Sequence, residues 1–334
     1  MKLPIRAFLA AVALAALLAS SISAQVPPHF MKGNVLKFSQ PIQHVVDPSM
    51  DFMHFWGEDI PSDFDWDKVM VPPQPDMEPL PPNWIIADDF RDPFDTPVLT
   101  VRWWGSYVGP TYTGPPTAPQ PVPFGPGSED GYAISFFRDI PPDPTGGVPF
   151  SRPGELLGTY VLPFEKVWVE PTPYHGWPDD NLPPDDPRLQ IYEYKANLMD
   201  AHLDHPSDLA DQMGFNQRPG EIYWISIAAF VGHKPVLIPN QDGTVRWEVE
   251  ETNKFALEHY WGWHTSPFNH APDIAVMGHL VMPGNEWLYG GWNPVQPRHN
   301  LPHMAFELFT VPEPASALLL MIGTMAMLGI RRRT

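Results

Sequence analysis

From Asn83 to Phe309 apolar residues recur at alternate positions in short runs, and Pro, Gly or Asp ends each run. That period belongs to strands half-buried on a sheet. In Val98 to Tyr107, Leu99, Val101, Trp103 and Tyr107 fall on one face, and Thr100, Arg102, Trp104 and Ser106 on the other. Leu189 to Leu198 repeats the pattern, with Tyr192, Tyr194, Ala196 and Leu198 opposing Ile191, Glu193, Lys195 and Asn197. A helix would not separate those sets. Further strands are predicted at Trp84 to Phe90, Tyr132 to Arg138, Leu156 to Val161, Lys166 to Val169, Thr244 to Val249, His259 to His264 and His303 to Phe309. The stretch Ile222 to Val231 is apolar on both faces, as expected of a central strand. Only Asp200 to Gln212 reads as a short helix. The expectation is an all-β, antiparallel β-sandwich, jelly-roll-like first and immunoglobulin-like second.

Such a domain must be held by packing, because the chain has no cysteine and hence no disulfide, thiolate metal site or cysteine nucleophile. With 43 % apolar residues over 334 positions it can build a large core. The sandwich is expected over residues 83–310. Residues 25–82 read as an irregular extension that docks in part through the aromatics of Met50 to Trp56 and ends in a proline linker, Pro72 to Pro82.

Both chain ends look like addresses rather than fold. Lys2 and Arg6 precede the apolar run Ala7 to Ala19, and Ser21-Ile22-Ser23-Ala24 offers a cleavage site after Ala24. Residues 1–24 therefore read as a secretory signal peptide, whose partner is signal peptidase. Residues 311–334 read Val-Pro-Glu-Pro, an uncharged apolar run from Ala315 to Ile330, and Arg331-Arg332-Arg333. The run is shorter than the ~20 residues that span a bilayer comfortably, so it is expected to be a short transmembrane helix, with the arginines on the cytoplasmic side.

This tail resembles the PEP-CTERM sorting signal of Gram-negative bacteria, through Pro312-Glu313-Pro314, the apolar helix with Gly323 and Gly329, and Arg331, Arg332 and Arg333. The resemblance implies processing near Pro-Glu-Pro by a membrane-embedded exosortase-like enzyme, passage through the inner membrane, and release or attachment at the cell surface or its extracellular polymer. Within the domain, Ile86 to Phe90, Trp103 to Tyr107, Phe136 to Pro141, Ser151 to Leu157, Glu221 to Ser226 and Trp261 to Ser266 resemble uncharacterised β domains in secreted proteins of planctomycetes and related bacteria. That family carries no assigned catalytic residues.

Charge narrows the partners. The formal net charge is -19, and removing Lys2, Arg6 and Arg331 to Arg333 takes it to about -24. Nucleic acid, which needs a basic face, is excluded, while divalent cations, neutral glycans and basic surfaces are compatible.

Asp88-Asp89 could be an acid/base or calcium pair, but neighbours on a strand point to opposite faces, which favours structural roles such as turn capping or pairing with Arg91 or Arg102. The densest acidic loop holds Asp179, Asp180, Asn181, Asp185 and Asp186. Calcium favours such oxygen-rich loops, although the spacing lacks the EF-hand pattern and these four aspartates make only a weak site. His202 and His205 would share a face of the predicted helix, but no His-Glu-x-x-His zinc motif is present. No Gly-x-Ser-x-Gly elbow is present either. A glycan-active hydrolase or lyase stays open, because its two carboxylates leave no local mark. Among the 13 tryptophans, Trp104 on a predicted outer face and Trp177 in a loop are the candidates for a sugar-stacking platform. The overall expectation is an exported, non-enzymatic, structural or adhesive protein that needs no cofactor, with extracellular polysaccharide as a partner. A carbohydrate-binding module is the alternative.

Overall fold

The computed structural model describes residues 34–42, 44–45, 54–55, 59–65, 84–107, 125–175 without 144 and 146, 190–240, 245–252, 261–266, 271–281, 288–295 and 303–310. The N-terminal part contributes β1 (Val35–Gln40), β2 (His44–Val45), β3 (His54–Phe55), β4 (Asp59–Pro61) and β5 (Asp63–Asp65). The long strands that follow are β6 (Trp84–Arg91), β7 (Thr100–Ser106), β8 (Gly131–Ile140), β9 (Arg152–Pro163), β10 (Val167–His175) and β11 (Gln190–Asn197). Three short ones come next, β12 (His202–Asp204), β13 (Ala210–Asp211) and β14 (Gly214–Phe215). Then come β15 (Ile222–Val231), β16 (His233–Pro239), β17 (Val245–Glu251), β18 (Gly262–Ser266) and β19 (Val276–Val281). The last are β20 (Leu288–Pro294), β21 (His303–Met304) and β22 (Phe306–Thr310).

The strands form an all-β structure of two large sheets and two hairpins. The ten-stranded sheet runs β1-β22-β7-β11-β10-β3-β2, with β18, β4 and β21 branching from β7. The eight-stranded sheet runs β12-β9-β8-β15-β6-β19-β20, with β5 beside β15. Apart from short parallel contacts of β3 with β10 and β5 with β15, the registered pairs are antiparallel. One main core is drawn from both sheets: Val101 and Trp103 of β7, Tyr194 of β11 and Phe306 of β22 join Tyr132, Ile134 and Phe136 of β8 and Ile225 and Ile227 of β15. Val101, Trp103 and Tyr194 belong to the inward sets that the period-two pattern predicts. Trp103 stacks on Tyr194 at 5.5 Å between ring centroids, with the planes 10° apart.

As expected of a central strand, β15 is buried on both faces. Tyr223, Ile225, Ile227 and Ala229 enter the main core. Trp224, Ala228 and Phe230 enter two smaller clusters on the opposite side, and Tyr289 and Trp292 of β20 pack against both. Tyr289 lies 4.8 Å from the Phe137 ring of β8. Three strands separate β8 from β20 in the sheet order, so the sheet curls back and β20 roofs its own outer face.

Two expectations are corrected. Asp200 to Gln212 forms no helix: a 3-10 turn, Leu198–Asp200, leads into β12, and the β13–β14 hairpin follows. Pro206 interrupts the stretch, and Ser207 caps its turn by accepting from the backbone N–H groups of Leu209 and Ala210, both at 3.2 Å. Residues 25–82, expected to be irregular, supply β1 to β5 among their described positions, and those strands belong to the two large sheets. No helix among the described residues is long and apolar enough to cross a membrane. The apolar run 315–330 lies outside the described residues, as do Ala24, Pro312, Glu313, Pro314 and Arg331 to Arg333.

Candidate functional site

Strand register builds a row of side chains on the outer face of the ten-stranded sheet. Glu307 of β22 pairs with Arg102 of β7, Arg102 with Lys195 of β11, and Lys195 with Trp168 of β10. Alternation sends Val101, Trp103, Tyr194 and Ala196 into the core, so these four residues face outward. The Arg102 guanidinium is ion-paired with Glu307, lies 3.7 Å from Glu193, and sits 5.1 Å from the Trp104 ring centroid and 5.6 Å from that of Phe309. Lys195 is ion-paired with Glu193 and places its Nζ 4.1 Å from the Trp168 centroid. Ser39 of β1 donates to Glu307 Oε1 at 2.8 Å.

Both cations of the row are thus matched by carboxylates and lie against aromatic rings. Cation–π contact and ion pairing fix the long side chains of Arg102 and Lys195. Such a strip suits a neutral, hydroxyl-rich ligand, which needs a ring to stack on and polar groups beside it, better than a polyion.

Trp104, the expected platform, does face outward, but it is only 4 % exposed. Arg102 lies over it, and Ile191, Ala305, Ile42 and Tyr174 pack around it. Trp168 is the half-buried ring of the strip. Its signal in the sequence is the alternation Val167, Trp168, Val169, Glu170, which puts it on the outward face with Glu170. Trp177, Asp179, Asp180, Asp185 and Asp186 lie outside the described residues.

The interior holds two acidic centres. Asp88 and Asp89 of β6 are both fully buried and point to opposite faces, as strand geometry requires. Asp88 Oδ2 accepts from Gln40 Nε2 at 2.9 Å and from the Met304 N–H at 2.7 Å; Oδ1 accepts from the Asp89 N–H at 3.0 Å and lies 3.8 Å from His303 Nδ1. Burial pushes Asp88 up, and these donors work against that rise. Asp89 Oδ1 accepts from the Asp273 N–H at 3.1 Å, whereas Oδ2 has no partner among the described residues. Burial first, then the adjacent Asp88, pushes Asp89 up to about 9, so it holds a proton at neutral pH. Neither aspartate pairs with Arg91 or Arg102. The partners of Asp88, Gln40 and Met304, come from the two ends of the domain.

The second centre is Glu129, just before β8. Its Oε1 accepts from the hydroxyls of Tyr107 and Tyr132, both at 2.7 Å, and Tyr194 donates to the Tyr107 hydroxyl at 3.1 Å. Burial raises the pKa of Glu129 and pushes all three phenols well above their ordinary value. Tyr194 lies on the ten-stranded sheet and Tyr132 on the eight-stranded one, so the network ties the sheets together.

The histidines whose side chains are described are dispersed. His202 lies in β12, half-buried, with burial lowering its pKa, and His205 follows with φ of 53° rather than sharing a helix face. His264 and His303 are buried on β18 and β21. Among the described residues no three His, Cys, Asp or Glu side chains gather as a metal site.

Residues 36–309 match a protein family described as "Domain of unknown function (DUF7901)", and the chain belongs to that family. The matched span takes in β1 to β5 together with the later strands. No curated protein and no solved structure matches the chain.

Proposed function

We propose that this is an exported, non-enzymatic protein of the cell surface or extracellular matrix, whose jelly-roll-like β-sandwich has a structural or adhesive task. The observation that carries the reading is the order of segments in the sequence: a basic and apolar leader, an acidic domain, then Pro-Glu-Pro, an apolar run and three arginines. Paired prolines before the apolar run deny backbone donors and keep that segment extended, which an ordinary membrane anchor does not need. The domain supports it: its strongly perturbed acids, Asp88, Asp89 and Glu129, are sealed in the interior, and Asp88 and Glu129 serve as ties between elements.

Intact-mass spectrometry of the protein from the native cell surface and medium tests the sorting step, beside a variant with Pro312, Glu313 and Pro314 changed to Ala. The expected result is loss of residues after the Pro-Glu-Pro segment in the wild type alone. A full-length tail in both would leave a plain membrane anchor.

The row on the ten-stranded sheet favours a second reading, binding of a neutral polysaccharide, with Trp168 as the stacking ring and Arg102, Glu193 and Lys195 as polar flanks. In affinity electrophoresis through gels containing neutral polysaccharides, Trp168→Ala should abolish retardation, a loss of about 1–3 kcal/mol if one stacked ring carries the contact. Equal retardation of wild type and variant in every gel that slows the wild type would remove this reading.

A further inference from the structure

Lys37 and Asp92 meet away from both acidic centres. Lys37 lies on β1, at the start of the domain, and Asp92 directly follows β6. The Lys37 Nζ is 2.9 Å from Asp92 Oδ2, and each side chain is 1 % exposed. Gln217 Nε2 donates to Asp92 Oδ2 at 2.6 Å, and the Phe94 N–H donates to Oδ1 at 3.1 Å. Nζ also donates to Thr96 Oγ1 at 2.9 Å and to the Thr96 carbonyl.

This is more than an ion pair needs. Removing two charges from water costs several kcal/mol per ion, so passing one proton along the N–H···O contact to give an amine and a carboxylic acid relieves part of that cost. Burial lowers the Lys37 pKa in the same direction. Once one proton has moved, the two remaining N–H bonds stay on the two Thr96 oxygens, and the nitrogen lone pair faces the Asp92 carboxyl. Donors already sit on both carboxyl oxygens, where charge develops when a nucleophile adds to the carbon.

We propose that Lys37 and Asp92 form an intramolecular isopeptide bond after the domain folds. The Lys37 Nζ–Asp92 Cγ bond forms and the Cγ–Oδ2 bond breaks. Oδ2 leaves as water, and both protons of that water come from the original ammonium group. The electron pair of the broken bond leaves with the oxygen, so no oxidant, reductant or cofactor is required. The bond staples β1 to the end of β6 in a chain without cysteine. Like a disulfide, it restricts the unfolded chain.

Tryptic peptide mapping of the full chain, purified folded and then denatured, tests this directly. Amidated Lys37 resists trypsin, so the expected product is a branched peptide joining Gly33–Lys68 to Asp92–Arg102, lighter by one water than the two together. The linear Asp92–Arg102 peptide should fall to a trace of its level in Lys37→Arg. Asp92→Asn should restore the same branched peptide by losing ammonia instead of water. Linear Gly33–Lys37 and Asp92–Arg102 from the folded wild type, with no branched peptide, would overturn the proposal whatever the variants do.

Discussion

Asp89 is a carboxyl group that folding obliges to stay neutral. Its folded pKa of about 9 lies above the ordinary value of about 3.9, so between those limits the folded state binds the extra proton. Stability tied to Asp89 is therefore full below about pH 4 and drains away as pH rises toward about 9. Asp89→Asn, which mimics the neutral acid, should raise stability at pH 8 by on the order of 1–3 kcal/mol and leave it nearly unchanged at pH 4. Urea midpoints followed by tryptophan fluorescence at the two pH values check this, and an equal shift at both would contradict it. The sequence makes half of this legible. Adjacent strand residues diverge, so strand geometry argues against a shared Asp88–Asp89 site from the start. The partners of Asp88 are not legible, because Gln40 and Met304 lie at opposite ends of the chain and only the folded sheets bring them together.

At the scale of elements, alternation locates the long strands well, since one face of each is core. It fails where other forces act. Pro235 within β16 and Gly278, Gly290 and Gly291 in β19 and β20 dilute the strand signal, yet the pairing of these strands is regular or only locally bulged. Gly278 has a specific reason: a Cβ there would lie 2.6 Å from the Trp292 ring and 2.9 Å from the Gly290 carbonyl. Gly278→Ala should lift the β20 roof from the outer clusters and cost about 1–3 kcal/mol, as overpacking does. Acrylamide quenching of tryptophan emission should increase together with the loss in thermal midpoint; a variant with wild-type quenching and midpoint would show that the roof yields at no cost. Trp104 and Trp168 show a related limit. Both face outward by alternation, but only the fold reveals that Arg102 lies over Trp104 and Lys195 over Trp168, and that Trp104 is the more deeply buried.

For the molecule as a whole, the class of fold is legible because so many short two-period runs leave few alternatives to stacked sheets. The order of strands within each sheet is not, because it depends on long-range closure. β1, the first strand of the domain, lies beside β22, the last, and Phe38 stacks on Phe306 at 4.9 Å. A chain emerging from its N-terminus therefore holds one side of that pair for the entire time the rest is being delivered. Its ten-stranded sheet cannot be completed until residues 306–310 arrive, since they form the strand between β1 and β7. Closing contacts between the two ends of a chain is slow, and it leaves strand edges unpaired meanwhile. Closure of the ten-stranded sheet is thus a late event, timed by delivery of its final strand, whereas the eight-stranded sheet has all its strands by residue 294.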